Sequence, residues 1–275
     1  MTQTYQIAEL LNMGGGNLSG LIFAFLLIFT RLGGALMFMP GIGEAFINAR
    51  TRLLLALAIT LLLTPVLGGR MPAVPNTPAA LALLLATEAT IGLFLGLVVR
   101  LMVAALDFAG QMVALQMGIG SAVAFNPAMS TQGSLPGTIM GMLALVLLFS
   151  TNLHHLLLTG IVQSYDVMPV KLPGDGANAV TMTTLSQGIV STVSRSFAVA
   201  LMICAPFMIL GTIFQVGMGL LSRLQPSVQI FFVSLPAQIY LGMIIFGSLI
   251  GVMISFWLDQ VADIYAGFGL IDGGN

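Results

Sequence analysis

Charge is what this chain has least of. Only 6% of its 275 residues are Asp, Glu, Lys or Arg, and residues 108–165 contain none. A soluble domain carries roughly 25% charged residues, so that stretch excludes a water-exposed globular fold there. A bilayer core penalises each central Asp, Lys or Arg by about 2.5–3.5 kcal/mol, which makes the scarcity a membrane signature. A net charge of −1 offers no basic face, and nucleic acid is excluded as a partner.

Cysteine is nearly absent as well. The single Cys204 permits no intramolecular disulfide and no cysteine metal cluster, and inside an apolar run it reads as a small packed hydrophobe. No Lys or Arg precedes Arg31, whereas a cleavable signal peptide needs basic residues ahead of its apolar core; the first segment is expected to be retained. No Gly-x-Ser-x-Gly elbow, phosphate loop or dinucleotide fingerprint is present. His154-His155 has no acidic or cysteine neighbour at ligand spacing, and adjacent helical residues diverge by about 100°, so the pair is expected to cap a helix ending there. Neither an enzyme nor a cofactor is expected.

What is present is 58% hydrophobic, gathered into runs near the bilayer-spanning length of about 20 residues. They cover Leu18–Met39, Leu53–Leu67, Pro78–Val99, Leu101–Phe125, Leu135–Val162, Gln187–Leu221 and Val228–Trp257. Backbone polar groups in lipid must be satisfied within the segment, so these are helices. The expected fold is all-α: a polytopic membrane protein of six or seven apolar segments, with a broken central segment and a C-terminal helical hairpin. Counting Lys and Arg on either side does not choose between six and seven. Gln187–Leu221 would extend about 50 Å as one helix, so it either breaks near Pro206 or projects from the bilayer.

From Leu101 to Pro136, glycines and two prolines interrupt a methionine-containing sequence whose one charged residue is Asp107. Broken backbone at membrane depth is tolerated where protein buries it or where it lines a cavity. A re-entrant or pore-facing segment and a kinked helix followed by a loop are both open. Ionisable residues inside apolar segments are functional candidates, and Glu88, Arg100, Asp107 and Arg195 are selected on that ground. Arg100 and Asp107 share a helix face but lie about 10 Å apart along it, which favours partners on other segments or snorkelling at a helix end. Glu88 is either a proton-relay acid or a buried carboxyl that stays neutral or pairs with a neighbouring subunit. Gly92/Gly96, Gly137/Gly141 and Gly247/Gly251 have the spacing of close helix contacts, a weak signal among 32 glycines.

Several motifs occur in a specific order: Arg31-Leu-Gly-Gly-Ala ending at Pro40; Ala49-Arg50-Thr-Arg52; Glu88-Ala-Thr-Ile-Gly92 through Gly96 to Arg100; Ala109-Gly110-Gln111; Gln116-Met117-Gly118-Ile119-Gly120; Phe149 with Asn152-Leu-His154-His155; Ser164; and Ser222-Arg223-Leu-Gln225-Pro226 before Phe231-Phe232. Over residues 18–260 this order resembles the FliR/SpaR/SctT family of type III protein export gates. Two departures stand out: Asn126-Pro127 replaces the family's Asp-Pro, and Gln225-Pro226-Ser227 replaces a Pro-Gln after the hairpin arginine.

The resemblance implies a non-enzymatic subunit of a bacterial inner-membrane export gate, flagellar rather than virulence-associated and located in the flagellar basal body. It implies FliP-like and FliQ-like subunits and FlhB-like and FlhA-like export proteins as partners, with unfolded export substrates passing through the centre. Residues 1–185 would be a FliP-like region and 186–275 a FliQ-like hairpin and tail. A pore plug at about 110–125 would include Gly110, Gln111, Met112, Gln116, Met117, Gly118, Gly120 and Phe125. Arg223, Gln225 and Pro226 would form a cytoplasmic turn contacting a partner. Rival readings are a virulence-system subunit, a proton-coupled secondary transporter using Glu88, Arg100 and Asp107, and a structural membrane scaffold.

Overall fold

The computed structural model describes residues 18–119, 134–171, 182–224 and 230–267. Among the described residues the secondary structure is helical, without strands: α1 (Leu18–Phe38), α2 (Ala49–Leu67, extended by a 3-10 turn at Gly68–Arg70), α3 (Pro78–Gln116), α4 (Leu135–Ser150), α5 (Leu153–Val167), α6 (Met182–Leu224) and α7 (Ile230–Gly267). Five helices are long and apolar enough to cross a membrane, and α4 with α5, bent by 69° at their junction, makes a sixth if the pair counts as one span. The protein is an all-α polytopic membrane protein.

Several segment limits differ from the sequence expectation. Pro78–Val99 and Leu101–Phe125 are not separate helices; α3 runs unbroken through Arg100 for 39 residues, about 58 Å, and this removes the seventh segment. Leu135–Val162 is instead two helices, broken where Asn152 takes φ 58°, a left-handed conformation that Asn tolerates better than most residues. Consequently His154 and His155 lie in the first turn of α5, just beyond the end of α4. α6 continues through Pro206 over 43 residues, about 65 Å, so its length is not divided there. α2 begins ahead of Leu53 because the Asn48 side chain accepts a hydrogen bond from Arg50 N at 3.0 Å, an N-cap that hydropathy does not register.

The chain forms two compact units that interleave in sequence: residues up to Arg100 with Leu153–Thr192, and Leu101–Asn152 with Val193 onward. In the first, Phe23, Leu27 and Ile28 of α1 pack with Leu67, Leu84, Tyr165 and Val170 in an apolar core. In the second, α6 and α7 run antiparallel: Arg195 meets Asp263, while further along α6 Phe207 meets Phe246, earlier in α7. Trp257 of α7, 1% exposed, donates from Nε1 to the Met102 carbonyl of α3 at 2.9 Å.

Candidate functional site

In the first unit, α1, α3 and α5 converge on a buried ion pair. Arg31 and Glu88 have side chains 0% and 1% exposed. Arg31 Nε donates to Glu88 Oε2 at 2.6 Å and Nη2 to Oε1 at 2.9 Å, the two-pronged geometry in which guanidinium and carboxylate match best. Arg31 Nη1 also donates to Ser164 Oγ at 3.0 Å and Nη2 to the Met168 carbonyl at 2.9 Å. The guanidinium carbon lies 3.9 Å from the centroid of the Tyr165 ring, a cation–π contact. Taking two charges out of water costs several kcal/mol per ion unless geometry and further hydrogen bonds offset it; both conditions are met here. The Met168 carbonyl follows the end of α5, where helix carbonyls lack partners, so Arg31 also caps that helix.

Glycine makes the approach possible. A Cβ on Gly92 would collide with the Arg31 carbonyl oxygen, and one on Gly96 would lie 3.0 Å from Phe38 Cβ. The Gly92/Gly96 pair therefore packs α3 on α1 within one chain. Gly137 similarly belongs to an internal contact, since a Cβ on Gly110 would sit 2.7 Å from its Cα. Among the described residues nothing lies within 4 Å of a Cβ added at Gly247 or Gly251.

The four charges selected from sequence each have a local partner. Both oxygens of Glu88 accept from Arg31 of the same chain, an arrangement suited to a structural tie. Arg100 Nη1 lies 3.2 Å from Glu44 Oε1, and Arg195 Nη2 lies 3.6 Å from Asp263 Oδ2. Asp107 Oδ2 accepts from Gln111 Nε2 at 2.9 Å. Within the first unit, Glu88 and Arg100 have different partners, Arg31 and Glu44. Sequence reasoning misses Arg31, although it meets the same criterion: a cation inside an apolar run, with an opposite charge inside another.

In the second unit, Gly110, Gln111, Met112 and Gln116 occupy the last turns of α3, continuous with it and uncharged. Met117 and Gly118 form the turn that ends the helix, with Gly118 at φ 80°, the left-handed glycine that commonly terminates helices. Met117 is 1% exposed. Arg223 is exposed in the last turn of α6. Gly120, Phe125, Gln225 and Pro226 lie outside the described residues. Among the described residues no three His, Cys, Asp or Glu side chains are grouped to hold a metal.

The chain is similar to the flagellar biosynthetic protein FliR of Caulobacter vibrioides, with 32% identity over 243 residues that cover 88% of this chain and 94% of that protein. FliR of Escherichia coli K12 is 27% identical over 228 residues, covering 82% of this chain and 84% of the relative. The Yop proteins translocation protein T of Yersinia pestis is 28% identical over 177 residues, 61% of this chain and 65% of that protein. A family model described as bacterial export proteins, family 1, matches residues 22–264. That span takes in Arg31, Glu88, the α3 terminus and the greater part of both hairpin helices. With the match running from α1 into α7, the chain belongs to the bacterial export proteins, family 1.

Proposed function

We propose that this protein is a core subunit of the flagellar type III export gate in the bacterial inner membrane, working inside a hetero-oligomer and carrying no catalytic chemistry of its own. The observation that carries this reading is the similarity to a flagellar FliR over 94% of that protein's length. FliP-like and FliQ-like subunits are its assembly partners, FlhB-like and FlhA-like proteins its neighbours, and unfolded export substrates its cargo. Residues 1–185 correspond to the FliP-like part and 186–275 to the FliQ-like part, a division by ancestry that differs from the compact units. Residues 110–125 form the plug. Support for that assignment is the absence of charge at 108–165, since a seal against ions needs a dehydrated apolar constriction.

The transporter reading loses ground because Glu88 and Arg100 are each engaged by a different partner, Arg31 and Glu44. A virulence-system role is the second reading, favoured by the similarity to Yop translocation protein T. Native mass spectrometry of the detergent-extracted chain, co-expressed with FliP-like and FliQ-like proteins from its own genome, tests the assignment. A defined hetero-oligomer is expected; a monomer or homodimer that ignores those partners overturns it. Deletion of the gene should abolish swimming and the appearance of flagellin in the medium. Normal motility with loss of effector secretion would select the virulence reading instead.

A further inference from the structure

The C-terminal end of α3 rests in a socket built by α6 and α7. A Cβ on Gly211 of α6 would lie 2.6 Å from Gln116 Oε1, and one on Gly242 of α7 would lie 3.0 Å from Met117 Cβ. A side chain at Gly211 would have to push the Gln116 side chain aside, and one at Gly242 the Met117 side chain. The remaining space beside the socket, bounded by Gln116, Phe207, Phe214, Gln238 and Leu241, amounts to about 30 Å³, room for no more than a water or two.

One polar tie crosses this apolar contact. Gln238 of α7 donates from Nε2 to the Gln116 carbonyl at 2.7 Å. That carbonyl is among the last four of α3, which have no acceptor role within the helix and need an outside donor. The Gln238 side chain also lies over the turn that follows, its Oε1 3.1 Å from where a Cβ on Gly118 would be. Gln238 therefore meets both the last carbonyl of α3 and the left-handed residue that stops it, and it does so from the hairpin.

We propose that Gln238 is a positioning residue that fixes where α3 ends and couples the α6/α7 hairpin to residues 116–118. Displacing the hairpin carries Gln238 with it, and the α3 terminus must then follow or lose its cap. The consequence for export rests on the gate reading above, because 116–118 fall within the segment assigned there to the plug. The coupling itself rests on the geometry alone.

Hydrogen exchange of the full chain, in detergent and in complex with its FliP-like and FliQ-like partners, tests the proposal. Gln238→Met keeps the length and apolar packing of the side chain; Gln238→Glu keeps its shape and removes the donor. Loss of one net hydrogen bond corresponds to about tenfold faster exchange, expected in both variants for the amides at 115–119 and not for α3 upstream of Arg100. Wild-type exchange at 115–119 in either folded variant overturns the positioning role. Faster exchange with unchanged flagellin secretion from an intact complex overturns the link to export. A wild-type chain that forms no complex overturns the gate reading alone, because the exchange comparison in detergent still decides the coupling.

Discussion

Glu88→Gln removes the charge of the buried pair while keeping its shape, and Arg31 is then left as an uncompensated cation in a site of 0% exposure. A glutamine amide can accept from only one arm of the guanidinium, and its own N–H groups face donors. Breaking a buried pair by neutralising one partner costs about 3–5 kcal/mol. At about 2–4 °C per kcal/mol for a chain of this size, the melting temperature in detergent should fall by roughly 6–20 °C, read by far-UV circular dichroism. The double variant Arg31→Met with Glu88→Leu removes both charges, and apolar replacement of buried pairs is often close to neutral, so most of the loss should be recovered. A single variant within about 1 kcal/mol of wild type, or a double variant melting no higher than the single, would refute the structural tie. A proton-relay acid makes the opposite forecast: abolished export at unchanged stability.

Three further outcomes follow from the same geometry. Gly92→Ala should cost roughly 1–3 kcal/mol because overpacking here meets the Arg31 backbone, whereas Gly251→Ala, whose added methyl meets nothing within 4 Å among the described residues, should match or raise the melting temperature of the isolated chain; equal behaviour would remove the distinction between the two glycine pairs. Among the described residues the buried Tyr165 hydroxyl has no hydrogen-bond partner, so Tyr165→Phe should be neutral or stabilising within roughly 1 kcal/mol, while Tyr165→Leu loses the aromatic face under Arg31 and about 0.5–2 kcal/mol; a destabilised phenylalanine variant refutes this. Trp257→Phe gives up the bond to Met102 and part of a buried ring, with a loss of roughly 2 kcal/mol expected in thermal unfolding and a near-zero change counting against it.

Hydropathy located α1 and α6 to within about five residues at either end, because transfer free energy accumulates locally along a chain, but it ended the last segment at Trp257, whereas α7 runs on to Gly267. It failed where a few residues override the local average. Arg100 looked like a boundary, yet Glu44 faces it across a loop and α3 continues. Asn152 looked like part of an apolar run, yet its φ of 58° splits that run in two. Gly110 looked like a break, and its lack of a side chain instead lets Gly137 approach. The motif order from Arg31 to Phe232 carried the family resemblance from sequence alone, and the match over residues 22–264 agrees with it.

The amino-acid sequence by itself determined that this is an all-α membrane protein, because the near-absence of charge and the segment lengths follow from the cost of polar groups in lipid. Only the tertiary structure decided which charges meet. Arg31 and Glu88 are 57 residues apart in the chain, and Gln116 and Gln238 are 122 apart. Pairing at such separations depends on how helices cross, which is set by where glycines permit backbones to touch. Composition holds no record of that distance.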